Sequence, residues 1–146
     1  MFLRDVSPGE QEFCRGLLKG AEMKFLAKVT KVEDRDEDPA KPASKPAERL
    51  LVLGGYRLFT VKKGTMGLRV LKQGHLEDLE GMRLYGRGDD SLEIRFRGGT
   101  WDDAFAIALP FETPLASTLA RSVWQEWLRT GGCVKRDVPA MDGGYL

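Results

Sequence analysis

Cysteine, histidine and net charge are all scarce in this chain of 146 residues. The two cysteines, Cys14 and Cys133, sit near opposite ends, form no CxxC pair and have no His or Cys cluster around them. That pattern reads as reduced thiols in an intracellular protein, with neither a disulfide framework nor a zinc site. A single histidine, His75, rules out a multi-histidine metal centre, and no nucleophile is paired with it as a triad requires. A formal net charge of +1 excludes a chain-wide field for nucleic acid. Nor are basic and aromatic residues interleaved as in single-strand platforms, so no nucleic-acid partner is expected. The longest apolar run, Ala104 to Leu109, falls far short of the roughly 20 residues that span a bilayer. The N-terminal MFLRDVSPGE lacks the apolar core of a signal peptide. The expectation is a soluble, cytoplasmic chain, with residues 1–132 as one domain and 133–146 as an irregular tail or linker.

What the chain does have is strand chemistry between two helices. Ser7-Pro8-Gly9-Glu10 carries a capping serine, a first-turn proline and a capping-box glutamate, and Phe13, Cys14, Leu17 and Leu18 follow at helical spacing up to Gly20. Residues 22–32 change period. Met23, Phe25, Ala27 and Val29 alternate with Lys24, Leu26, Lys28 and Thr30, the pattern of a half-buried strand. The run 33–48 is dense in charge and holds three prolines, so it reads as a flexible insert with nothing to bury. Arg49–Leu53 and Arg57–Lys63 form a hairpin about Gly54-Gly55, whose glycines permit the positive dihedral angles of a tight turn. Further strands are expected at 68–71, 82–85, 92–96 and 104–109, separated by glycine-rich turns. The last element is a helix from Thr113 to Arg129, with Leu115, Leu119, Val123, Trp124, Trp127 and Leu128 on one face and Gly131-Gly132 as its stop. The fold class is therefore α+β and mostly β: a bent antiparallel sheet of about seven strands capped by a C-terminal amphipathic helix, with an extra N-terminal helix.

That plan is the plan of the pleckstrin-homology superfold. LLVLGGYRLFTV resembles the strand–turn–strand stretch of GRAM and pleckstrin-homology-like domains. The order of short helix, strand, that hairpin, the segment HLEDLEGM and a final helix is similar to the atypical domain that opens CARMIL-type leucine-rich-repeat actin regulators. The resemblance spans residues 7–130 and implies a recruitment role without catalysis, and no cofactor. It carries none of the family's actin-related activities, because no leucine-rich repeat is present. Familiar pleckstrin-homology domains place a Lys and a Lys/Arg-x-Arg pattern across their first two strands. Here the first strand has Lys28 and Lys31 while the second has only Arg49, and the acidic run 33–38 intervenes. That departure argues against stereospecific recognition of a phosphoinositide.

Charge nevertheless segregates locally. From Arg57 to Lys72 there are five basic residues and no acid. Lys62, Lys63 and Arg69 are expected around the turn at Gly64-Thr65 and, with Lys72, are the candidate contacts for an anionic phospholipid surface. Against this stands a solvated hairpin whose lysines only discourage edge pairing. Trp101, in a GGTWDD turn, and Trp124, on the final helix, are the candidate contacts for a protein partner, although core packing is the default reading of the helical tryptophans. Glu77, Asp78 and Glu80 read as a charged connector, and Asp89-Asp90 and Asp102-Asp103 as turn residues that supply too few oxygens for calcium. No metal is expected. The function expected is a recruitment module at a membrane or the cytoskeleton, with weak, low-specificity lipid contact. Its rival is a protein-binding or self-association domain using a sheet edge or a groove beside the last helix. The sequence leaves the oligomeric state open.

Overall fold

The computed structural model describes residues 6–31, 47–85, 90–97, 102–107, 115–130 and 140–142, with backbone alone at 47, 102–107 and 140–142. Helix α1 (Pro8–Leu17) is followed by strands β1 (Met23–Lys31), β2 (Ala47–Gly54), β3 (Arg57–Gly64) and β4 (Gly67–His75). A 3-10 turn at Leu76–Asp78 leads into β5 (Leu79–Tyr85), β6 (Ser91–Phe96), β7 (Asp102–Ile107), helix α2 (Leu115–Arg129) and β8 (Ala140–Asp142). These eight strands make one bent sheet in the order β4-β3-β2-β1-β7-β6-β5-β8, antiparallel except for the β5–β8 pair. The bend brings distant strands together. A Cβ built on Gly74 of β4 would stand 2.7 Å from the ring of Phe96 on β6.

Two apolar clusters lie on the two faces of the sheet. The larger, inner one joins Phe25, Ala27 and Val29 of β1, Leu51 and Leu53 of β2 and Leu58 of β3 to β5, β6 and the α2 face Leu115, Leu119, Val123 and Trp127. The outer one sets Cys14 of α1 and the C-cap Leu18 against Leu26, Leu50, Val52, Phe59 and Val61. This second cluster corrects the expected half-buried first strand at one position. Leu26, grouped by period with the lysines, is fully buried, because α1 covers that face. Met23 also changes sides. A register shift between Met23 and Phe25 turns it to the outer cluster.

The N-terminal capping box forms as expected. The Glu10 backbone N–H donates to Ser7 Oγ at 3.2 Å, and the Ser7 N–H donates to Glu10 Oε1 at 3.1 Å. The turn of the β2–β3 hairpin is less as expected. Its positive-φ residues are Gly55 (58°) and Tyr56 (60°), so Gly54 is not needed for turn geometry. Gly54 lies in β2 against the Leu18 side chain and the Glu22 carbonyl, where a Cβ would come within 2.7 and 2.8 Å. The glycine pair thus serves two purposes, a close approach and a turn.

Two further expectations are corrected. Asp102 and Asp103 are strand residues, paired with Arg95 and Ile94 of β6, not turn residues. The tail 133–146 is not wholly irregular, since Ala140–Asp142 adds alongside β5. Thr113, Pro114 and nearly all of the 33–48 insert lie outside the described residues; Ala47 and Glu48 open β2. Among the described residues, no helix is long and apolar enough to cross a membrane.

Candidate functional site

The ends of β1 and β3 and the starts of β2 and β4 meet at one end of the sheet, because the four strands alternate in direction. Of the candidate cations, Lys62, Lys63 and Arg69 sit there, while Lys72, opposite Thr60, lies further along β4. Strand parity decides which of them share a face. Val61 belongs to the outer cluster, so Lys62 is on the inner face and Lys63 on the outer. Arg69 pairs directly with Lys62, and Lys72 with Thr60 across a register shift, so both are on the inner face. Leu68 and Val70 confirm the parity by packing on the outer cluster.

The sheet brings in two more cations on the inner face. Arg49 pairs with Val29 of the inner cluster, and Lys31 stands two residues further along β1. Extending the Leu50–Val61 register by one residue sets Arg49 beside Lys62, which is itself opposite Arg69. Arg49, Lys62 and Arg69 therefore form a row across three adjacent strands, at about 4.8 Å per strand. Lys31 and Lys72 flank the row on the same face. Strands β1 to β4 carry one acid, Glu48, and it points to the other face, where its Oε1 is 3.7 Å from Lys28 Nζ.

Lys63 belongs to that outer face. Together with Lys28 it acts on Glu10 of α1. Burial pushes the Glu10 carboxyl up, but the two hydrogen bonds with Ser7 and the charges of Lys28 and Lys63 outweigh it and hold the group below its ordinary value of 4.5. The four candidate cations thus divide three to one between the faces. Lys62, Lys63 and Arg69 have no ion pair among the described residues. The Arg49 guanidinium donates to the Glu48 carbonyl at 2.8 Å.

The β3–β4 turn completes this end. Gly64 pairs with Gly67, leaving Thr65 and Met66 at the tip, and Gly67 takes φ 109°. Met66 is 100% exposed, the most exposed large apolar residue described. It went unremarked in the sequence because a lone methionine between glycines shows no period.

The other candidates lie elsewhere. Trp124 is half-buried against the inner core, its ring 5.2 Å from that of Trp127, so only part of it remains for a partner. Trp101 lies outside the described residues. His75 ends β4, and its Nδ1 accepts from the Glu77 backbone N–H at 3.2 Å, a capping role. Cys14 is buried, and burial, with the nearby Glu10 charge, pushes its thiol up to about 11. Among the described residues no three of His, Cys, Asp and Glu converge to hold a metal.

No family model matches the chain, and no curated protein does either. Solved structures do. The hSac2 domain from human phosphoinositide phosphatase Sac2 superposes with a TM-score of 0.58 at 12% identity, covering 97% of this chain and 93% of that one. The DH/PH domain of human ARHGEF11, solved with human RhoA and its inhibitor, gives 0.56 at 15% identity over 87% of this chain and 35% of that one. An N-terminally truncated linker-DH/PH fragment of p115-RhoGEF gives 0.50 at 14% identity, over 94% and 36%. The fold is pleckstrin-homology-like. Identities this low speak to the fold alone, and on that the expected plan agrees with the observed sheet, capping helix and extra N-terminal helix.

Proposed function

We propose that this pleckstrin-homology-like domain is a non-catalytic recruitment module that makes weak, low-specificity contact with anionic membranes, as part of a larger cytoskeletal or membrane-associated protein. The observation that carries the reading is the row Arg49, Lys62, Arg69, with Lys31 and Lys72 beside it, on a face where strands β1 to β4 place no acid. Like charges directly opposite across a ladder destabilise a sheet. Folding alone therefore gives no reason for Lys62 opposite Arg69, whereas an anionic surface does.

The magnitude fits recruitment better than tight capture. Each basic side chain near an anionic surface contributes about 1 kcal/mol. Lys62, Lys63, Arg69 and Lys72 together contribute about 4 kcal/mol, which corresponds to a millimolar constant. Such attachment needs avidity or a second contact. The phosphoinositide phosphatase named among the structural neighbours is compatible with lipid contact, and the RhoA complex with protein contact.

Vesicle flotation tests the reading. The chain is expected to float with phosphatidylserine-containing vesicles, not with neutral ones, and to lose flotation when Lys62 and Arg69 become Glu. Equal recovery on both vesicle types, unchanged by the substitutions, would refute it. The rival reading, a protein-binding or self-association domain, is favoured by one observation: β4 is an edge strand of nine residues with Leu71 39% exposed. Partner binding or dimerisation that survives high salt, without flotation, would favour it instead.

A further inference from the structure

The division of the cations between two faces bears on how this domain would meet a bilayer. A surface that docks face-on needs its cations on that face. Here Lys62 and Arg69 lie on the inner side of the β3–β4 hairpin, while Lys63 lies on the outer side with Lys28. The direction they share is along the hairpin, toward the tip, and at the tip stands Met66, fully exposed.

We propose that the β3–β4 hairpin enters an anionic membrane end-on, with Met66 as an apolar anchor in the headgroup–acyl boundary and Lys62, Lys63 and Arg69 as the ring of cations behind it. The proposal rests on the membrane-contact reading above and adds to it an orientation and an inserting residue. The spacing supports it. Lys63 and Leu68 are one ladder step behind the Gly64–Gly67 pair, and Lys62 and Arg69 two steps behind. At about 3.4 Å per residue, the Lys62–Arg69 pair trails that glycine pair by about 7 Å, and Met66 projects beyond it. Interfacial apolar groups sit roughly 5–10 Å deep, so Met66 at the acyl boundary would hold both cations level with the lipid phosphates.

The turn is suited to such entry. Gly64, Thr65 and Gly67 are small and uncharged, so nothing at the tip but backbone and the Thr65 hydroxyl has to be desolvated beside Met66. Methionine is unbranched and adapts to an irregular apolar environment. Met66 is wholly exposed, so no described residue packs on it and its apolar surface is available to a membrane.

The test attaches an environment-sensitive fluorophore at Met66→Cys in the Cys133→Ser chain, where the buried Cys14 leaves the new thiol as the site of labelling. The same label at Asp78→Cys, in the 3-10 turn that follows the far end of β4, is the control. With phosphatidylcholine vesicles containing phosphatidylserine, the Met66 probe is expected to shift to the blue and be quenched by lipids spin-labelled in the upper acyl chain. The Asp78 probe should do neither. Unlabelled Met66→Ser should lower partitioning about tenfold while leaving its salt dependence unchanged, since an apolar contact is removed and no charge is added or lost. If the chain floats with anionic vesicles but the Met66 probe does not respond, end-on insertion is overturned and the contact reading stands. If the chain floats with neither vesicle type, the contact reading falls and the insertion with it.

Discussion

Reversing the charge of two adjacent residues, Lys62 and Lys63, should move stability in opposite directions while weakening lipid contact in both cases. Lys62 stands between Arg49 and Arg69 on the inner face, so Lys62→Glu replaces two repulsions with two attractions. Directly opposed cross-strand pairs are worth roughly 0.2–1 kcal/mol, and solvent screening keeps surface pairs toward the low end. A gain of about 1 kcal/mol is expected, or about 2–4 °C in Tm for a chain of this size. Lys63→Glu does the reverse. It places a carboxylate on the outer face, where Lys63 now helps hold Glu10 ionised beside α1, and it should cost stability. Either reversal exchanges one favourable basic contribution of about 1 kcal/mol at an anionic surface for a repulsion of similar size, a loss of roughly thirtyfold in partitioning.

Urea denaturation at low and high salt, paired with vesicle flotation, measures both effects. Neutral Lys62→Gln and Lys63→Gln should fall between each parent and its reversal, and high salt should shrink every difference. If Lys62→Glu is the less stable of the two reversals, the row Arg49–Lys62–Arg69 is not a strained arrangement, and the reason for expecting an anionic ligand there disappears. If Lys62→Glu is more stable but floats as well as the parent, the row exists but faces something other than the membrane.

Gly54→Ala should cost about 1–3 kcal/mol in denaturant unfolding, since its Cβ meets the Glu22 carbonyl at 2.8 Å, whereas Gly16→Ala in α1, with nothing within 4 Å, should gain about 0.5–1 kcal/mol. Tyr56→Gly should stabilise the chain by about 1 kcal/mol, because Tyr56 holds φ 60° and is 43% exposed, so little packing is lost; an unchanged or lower midpoint would contradict this. The stability gap between the parent and Glu10→Gln should be widest above the ordinary carboxylate value of 4.5 and close as pH falls through the depressed native value, because the folded state then loses its preference for the ionised group. In the Cys133→Ser chain, Cys14 should resist a thiol reagent at neutral pH until denaturant exposes it, as its burial and pKa of about 11 require; prompt native-state labelling would show that α1 opens readily.

The fold was legible because its signals are local. The capping box Ser7-Glu10, the helical spacing through α2 and the alternation of β1 each depend on residues a few positions apart, and each recurs in the structure. What was illegible depends on packing at a distance. Leu26 looks solvent-facing by period and is buried because α1, which ends before the strand begins, folds back over that strand face. Gly54 looks like half of a turn, and its tight contact with Leu18 and Glu22 appears only once α1 is in place. The site divides the same way. The acid-free stretch from Arg57 to Lys72 is visible as a string of letters, but a string of letters has no faces. Assigning Lys63 to one side and Lys62, Arg69 and Lys72 to the other takes the register, including the shift between Thr60 and Val61 that returns Lys72 to the inner face. Arg49 is the clearest case. As the only base on the second strand of an incomplete two-strand motif, it argued against stereospecific recognition of a phosphoinositide. Counted from Val29 across the ladder instead, it falls in line with Lys62 and Arg69, and the cationic row is built across strands β2, β3 and β4 rather than along any one of them.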